Sequence, residues 1–222
     1  MRRAPFADRR AAGRLLGERL AGAEAGDVLV LGLPRGGAVV AAEVAAVMGA
    51  PLDVLLVRKL GLPVQPELAM GAVAALGDVV ETVRTERVLA AGGVDDATFA
   101  RVRDRELAEL RRRAAAYRGD RPAPAVEGRT VVLVDDGLAT GSTVRAALQA
   151  LAAQRPARTV VAVPVAAPSA LDTVAPLADQ VVCLLAPPAF RAVGGAYRSF
   201  AQTSDDEVRA VLAARPEPSA PG

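Results

Sequence analysis

The sequence predicts an α/β fold of three layers, a mostly parallel, doubly wound sheet between helices, with a long inserted helix. Two patterns predict it. Short aliphatic runs at 28–31, 52–57, 131–134, 159–165 and 181–185 recur along the chain, and runs that are apolar at nearly every position suit strands buried on both faces. Stretches of helical period separate most of them, the alternation that builds βαβ units. At 222 residues, 52% hydrophobic, with a mean hydropathy of +0.27, the chain has the apolar material for a single domain and not the composition of a disordered one. We therefore expect one domain over 1–222, with its core at about 8–185, the inserted helix at about 95–118, and a C-terminal segment with a final helix at about 186–214.

Taken in order, Asp8 caps a helix over about 9–23, in which Ala12, Leu15, Leu16 and Leu20 recur at helical spacing. Val28–Leu31 is the first strand and runs into Gly32-Leu33-Pro34-Arg35-Gly36-Gly37, whose glycines permit close backbone approach to an anion before a helix over about 38–48. Leu52–Val57 is the second strand and ends in Arg58-Lys59. The glycine and two prolines of 60–67 predict an irregular loop there. Residues 69–74 and 78–83 read as a small β excursion at the sheet edge, and 85–91 as a short helix closed by Gly92-Gly93. The long helix from Asp95 or Asp96 to about Tyr117 carries an approximate apolar stripe through Phe99, Val102, Leu107, Leu110, Ala114 and Tyr117, with arginines elsewhere. Two roles stand open for it: an amphipathic cover for the sheet, or an arm that contacts a second subunit or brings charge over a site. Pro168-Ser169 opens a helix before the last strand, and Ser204 with Glu207 forms a capping box for a final helix to about Ala214.

The chain is organised around Val131-Val132-Leu133-Val134-Asp135-Asp136-Gly137-Leu138-Ala139-Thr140-Gly141-Ser142-Thr143. A buried strand delivers two carboxylates to its carboxyl end, where open α/β sheets bind ligands. A glycine- and hydroxyl-rich turn then opens a helix, so that backbone N–H groups point at a ready anion site. Like charges prevent Asp135 and Asp136 from holding a phosphate, but they suit sugar hydroxyls or a Mg²⁺-bound water. This succession resembles the phosphoribosyl pyrophosphate (PRPP) signature of type I phosphoribosyltransferases, and DDGLATGST most resembles its adenine phosphoribosyltransferase version. The whole chain is similar to a group of bacterial predicted phosphoribosyltransferases.

The resemblance implies a pentosyl-transferring enzyme of nucleotide metabolism that moves the 5-phosphoribosyl group of PRPP to a nitrogenous base or related acceptor and releases pyrophosphate. It implies the 5′-phosphate on Gly137, Leu138, Ala139, Thr140, Gly141, Ser142 and Thr143, and the ribose hydroxyls on Asp135 and Asp136. Pyrophosphate would lie on Arg35, Gly36 and Gly37, with Arg58 and Lys59 beside it ahead of a mobile loop that closes over the substrate. Mg²⁺ would be carried by PRPP, with at most a water to either aspartate. The acid that hypoxanthine-guanine enzymes carry immediately before Thr-Gly is Ala139 here, which argues against a 6-oxopurine acceptor. A PRPP-binding regulator without catalysis is the alternative. A dinucleotide oxidoreductase would need G-x-G-x-x-G after the first strand, where the chain has GLPRGG.

Other residues bear two readings. Lys59 is the only lysine among 27 basic residues, and it stands either for a compact charge that arginine cannot replace or for a stray surface residue. Glu67 is a candidate for base recognition or an ordinary loop acid. The resemblance implies a small C-terminal hood at about 186–214 that supplies the base pocket; its Phe190, Tyr197 and Phe200, three of six aromatic residues, either stack on a planar base or pin the tail to the core. The net charge of +2 gives no case for nucleic acid. No apolar run reaches the roughly 18 residues of a membrane span, and MRRAPFADRR lacks the apolar stretch of a secretion signal. One cysteine and no histidine exclude an internal disulfide and a Ser-His-Asp triad. A cytoplasmic protein, alone or as a homodimer, is the expectation.

Overall fold

Thr130–Val134 is the central strand of the computed structural model, which describes residues 5–22, 26–76, 79–119 and 121–214. In chain order the elements are α1 (Arg9–Leu20), β1 (Val28–Gly32), α2 (Gly36–Met48), β2 (Leu52–Val54), β3 (Leu56–Leu62), β4 (Gln65–Leu76), β5 (Val79–Arg84), α3 (Glu86–Gly92) and α4 (Asp96–Arg118). The remainder are β6 (Thr130–Val134), α5 (Ser142–Ala153), β7 (Arg158–Val165), α6 (Pro168–Val174), β8 (Gln180–Leu185) and α7 (Asp205–Ala213). Five strands form one parallel sheet in the order β2-β1-β6-β7-β8. Alternate residues sort its two faces: Val30, Val132 and Val134 pack with Leu16, Ala41 and Val44 of α1 and α2, while Leu29, Leu31, Val131 and Leu133 pack with Ala147, Leu148 and Leu151 of α5. The chain leaves β1 toward one edge and β6 toward the other, which makes the β1/β6 boundary the topological switch point of a doubly wound sheet.

Helix α1 is held against α2 by glycine. A Cβ on Gly13 would lie 2.6 Å from the carbonyl oxygen of Val40, and one on Gly17 would lie 2.8 Å from the Cβ of Val47. The two helices thus touch along one stripe, and Arg9, four residues before Gly13, belongs to the same stripe. Arg10 and Arg14 lie on the neighbouring stripe and pair with Glu43.

The second aliphatic run is not one strand. Leu55 donates its N–H to Gly32 (3.1 Å) and ends the pairing with β1. From Leu56 the chain enters a separate antiparallel sheet, β3-β4-β5. The expected irregular loop at 60–67 is correspondingly replaced by the ends of β3 and β4. The prolines are tolerated because neither is asked to donate to the ladder. Pro63 lies in the two-residue turn, and Pro66 in a bulge between the Leu62–Gln65 and Gly61–Ala69 pairs. Gly61 makes the bulge possible, since a Cβ there would stand 2.3 Å from the Pro66 carbonyl oxygen.

The small sheet lies between α5 on one face and α3 and α4 on the other. Of the expected α4 stripe, Phe99, Val102, Leu110 and Tyr117 are buried, so the helix does cover a sheet, though the small one and not the main one. Its end is tied down by Arg118, which donates to Asp53 of β2 (2.7 Å), and by Tyr117, whose hydroxyl donates to Asp205 of α7 (2.5 Å). Among the described residues no helix is long and apolar enough to cross a membrane.

Candidate active site

The loops that leave β1 and β6 meet at the switch point. A Cβ on Gly36 would fall 1.9 Å from Asp136 Oδ2, and one on Gly37 would fall 2.9 Å from Asp135 Oδ1. The two glycines thus let the first loop, with its cis Pro34–Arg35 peptide, lie directly against the acid pair of the second. Both loops open helices, so the free N–H groups of α2 and α5 converge on one region.

The acid pair is largely buried. Asp135 Oδ1 accepts the N–H of Asp136 (2.8 Å). Burial and the neighbouring Asp136 charge push the Asp135 carboxyl well above the usual range. Asp136 is raised by burial and restrained by Arg9. Arg9 was not legible as a site residue. Its Nε donates to Asp136 Oδ2 (2.8 Å), its Nη1 to the Ala201 carbonyl (2.7 Å), and its guanidinium stacks 3.9 Å from the centroid of Phe200. The signal that identifies it is spacing: Arg9, Gly13 and Gly17 lie four apart on the face that touches α2. The pair is mostly shielded, with side chains 12% and 17% exposed, so Arg9→Ala should leave an unpaired buried charge and cost about 3 kcal/mol. Asp136→Asn in the same chain should restore most of that loss. Denaturant melts of the four proteins in this cycle measure the coupling, and additive effects would show that the pair contributes nothing.

In the turn after Asp136, the N–H groups of Ala139, Thr140 and Gly141 have no protein acceptor among the described residues. Leu138 is different from its neighbours. It is buried, gives its N–H to Val165 (2.9 Å) and takes one from Ala167 (2.8 Å), so its N–H is already used and cannot serve an anion. Gly141 has φ +72°, the left-handed conformation that turns the chain into α5. The hydroxyls of Thr140 and Ser142 are 3.0 Å apart, and Lys59 Nζ donates to Ser142 Oγ (3.4 Å).

Arg58 and Lys59 are not brought together. Because successive strand residues point to opposite faces, Lys59 goes toward the α5 loop, while Arg58 goes toward α4 and donates to Glu106 from Nε (2.8 Å) and Nη2 (2.5 Å). Arg35 lies at the N-terminus of α2 with Nη1 4.0 Å from Asp205 Oδ1. Asp205 also accepts from Tyr117, whose own titration is pushed up to about 12 by burial and that carboxylate.

The aromatic residues divide. Tyr197 is buried, with the Phe6 ring tilted against it (centroids 5.5 Å apart) and Phe200 stacked on it (4.9 Å). With only 5% of the residue exposed, the ring offers no stacking surface for a base. Its hydroxyl instead donates to the backbone oxygen of Asp136 (2.5 Å), which fastens the C-terminal segment to the acid-bearing turn. Phe190 is half-buried against the small cluster that contains Val165 and Tyr197. The side chain of Glu67 lies outside the described residues.

Residues 7–193 match the phosphoribosyl transferase domain family. A Mycobacterium tuberculosis (strain H37Rv) protein, Rv0571c, provisionally named as a phosphoribosyl transferase, is 48% identical over 207 residues. These are 93% of this chain and 46% of that protein, so the chain spans about half the length of the curated relatives it matches. The crystal structure of the Thermus thermophilus protein TT1426 is 47% identical, covers 93% of this chain and 97% of its own, and superposes with a TM-score of 0.84.

Proposed function

Since the chain belongs to the phosphoribosyl transferase domain family, we propose that it transfers the 5-phosphoribosyl group of PRPP to a nitrogenous acceptor and releases pyrophosphate. The observation that carries the reading is the contact of Gly36 and Gly37 with Asp136 and Asp135, which makes an anion-binding loop and a hydroxyl-binding acid pair two halves of one site. The free N–H groups of Ala139, Thr140 and Gly141 and the hydroxyls of Thr140 and Ser142 receive the 5′-phosphate, with Lys59 beside them. Asp135 and Asp136 accept the ribose hydroxyls. Arg35 and the N–H groups of Gly36 and Gly37 hold the pyrophosphate. The acceptor nitrogen bonds to C1 of the ribose as the bond from C1 to the pyrophosphate oxygen breaks, and the electron pair leaves with the pyrophosphate. The chain's contribution is electrostatic: fixed donors meet the negative charge that gathers on the departing group, and the carboxylates lie beneath the positive charge that develops on the sugar.

A divalent cation suits this donor set only as a guest of the substrate. Two carboxylates converge, one of them already paired with Arg9, and among the described residues no group of three metal-ligating side chains occurs. Mg²⁺ keeps most of its ligands as waters and phosphate oxygens, so Asp135 and Asp136 would hold it through water, and it would supply charge neutralisation on the pyrophosphate.

A pyrophosphate-release screen with PRPP, Mg²⁺ and a panel of purines, pyrimidines and other amines tests the proposal. Release that depends on one acceptor is the expected result. PRPP binding without release from any acceptor would support a regulator instead, and absence of PRPP binding would overturn both.

A further inference from the structure

Each acid of the pair spends one oxygen on the protein. Asp135 Oδ1 accepts the N–H of Asp136 (2.8 Å), and Asp136 Oδ2 accepts from Nε of Arg9 (2.8 Å). The other two oxygens, Asp135 Oδ2 and Asp136 Oδ1, have no donor among the described residues. Among those residues Arg9 is also the one donor to the Asp136 carboxylate, so it selects which oxygen is used and which is left. It can do so because it is itself held. Helix α1 is seated on α2 through Gly13 and Gly17, Nη1 of Arg9 donates to the Ala201 carbonyl (2.7 Å), and the guanidinium lies 3.9 Å from the Phe200 centroid. The segment that carries Phe200 and Ala201 is tied in turn to the start of the chain: the N–H groups of Arg198 and Ser199 go to the carbonyls of Phe6 and Ala7 (both 2.9 Å). The chain after β8 thus reaches Asp136 twice, at its backbone through the Tyr197 hydroxyl (2.5 Å) and at its side chain through Arg9. Arginine suits the second task, because a planar fork with a stacking face can engage a carboxylate, a carbonyl and a ring at once.

We propose that Arg9 is a positioning residue for phosphoribosyl transfer: it fixes the rotation of the Asp136 carboxylate, so that the pair keeps one unspent oxygen on each acid for the sugar. This rests on the phosphoribosyl-transfer reading, which puts the ribose hydroxyls on the two aspartates. Arg9 touches no substrate in this assignment and acts through Asp136. The C-terminal segment then serves the site by holding that arginine, a part that needs no ring to stack on a base. Arg10, next in sequence, pairs with Glu43 (3.0 Å) on the neighbouring stripe of α1 and is 50% exposed, which makes it the matched control.

Calorimetric titration of PRPP with Mg²⁺ tests the assignment, with inorganic pyrophosphate as the ribose-free reference. The proteins are the wild-type chain, Arg9→Gln, Arg9→Lys, Asp136→Asn, the double variant Arg9→Gln with Asp136→Asn, and Arg10→Gln. Arg9→Gln should weaken PRPP binding about tenfold, the usual scale for a hydrogen bond to a charged group, and leave pyrophosphate within about twofold of wild type. Arg9→Lys should recover part of the loss, and Arg10→Gln should match wild type. In the Asp136→Asn background, Arg9→Gln should weaken PRPP binding by less than about twofold further, because the group it acts through is already gone. If Arg9→Gln does not fold, Arg9→Lys carries the same comparison, and its affinity must fall for PRPP and not for pyrophosphate. PRPP and pyrophosphate weakened alike, or the same loss with and without the Asp136 carboxylate, would show a merely structural arginine and overturn the inference while leaving the transfer reading intact. Wild-type PRPP affinity in a folded Arg9→Gln would do the same. A wild-type chain that binds no PRPP would overturn the transfer reading itself, and the inference with it.

Discussion

Asp135→Asn is expected to make the protein more stable at neutral pH while reducing phosphoribosyl transfer about a hundredfold or more. The two effects have one cause. Burial is the main influence that raises this carboxyl, and the charge of Asp136 is the second; the N–H of Asp136 and the more distant Arg9 offset them only in part. A folded-state pKa above the unfolded value of about 3.9 means that the fold prefers the protonated acid. Stability is then greatest at and below the unfolded value, falls as pH rises toward the folded value, and is level above it. Asparagine carries no such penalty and can still accept the Asp136 N–H. The loss of transfer follows from replacing a full negative charge beneath the developing cation with a neutral amide, for which about 3 kcal/mol is the usual scale. Thermal melts at pH 4 and pH 8 should show the variant ahead of wild type by more at the higher pH. In wild type the acid limb of kcat/KM should lie above the ordinary carboxylate range, since turnover needs the ionised form. Parallel melting curves, or a variant that turns over normally, would count against the role assigned to this carboxylate.

Gly36→Ala should be nearly as damaging, though it introduces only a methyl group. The new Cβ would stand 1.9 Å from Asp136 Oδ2, 2.7 Å from its Cγ and 2.9 Å from Arg9 Nε. No rotation of alanine relieves this, so the carboxylate must move and release Arg9. Separating a mostly shielded pair costs about 3 kcal/mol, and the acid would no longer face the sugar. We expect a lower melting temperature together with a loss of PRPP turnover of about a hundredfold. Gly195→Ala, where a Cβ would meet nothing within 4 Å, should be neutral in both assays and serves as the control. Wild-type turnover in Gly36→Ala would show that the two loops do not form one site.

The sequence made the parallel core legible because a buried strand carries its own signature: Val131–Val134 and Val160–Val163 are apolar at every position and belong to no other pattern. The acid pair and the glycine turns were legible for the same reason, since their chemistry is local. What escaped was set by tertiary contact. Leu52–Val57 reads as one strand, and only the hydrogen bond from Leu55 to Gly32 shows where it divides. The prolines at 63 and 66 suggest a loop, and only the pairing register shows that each falls where no donor is needed. Arg9 is one arginine among many until α1 is docked on α2 through Gly13 and Gly17. Tyr197 reads equally as a base-stacking ring or as a pin for the tail until its burial and its hydrogen bond to the Asp136 carbonyl are seen.

The handover at Leu55 gives counting a chemical meaning. Arg58 and Lys59 differ in destination only because one is an odd and the other an even number of steps from that residue. A single residue gained or lost in between would exchange the two cations, turning the lysine toward Glu106 and the arginine toward Ser142. Parity, as much as identity, is what the first strand of this small sheet has to preserve.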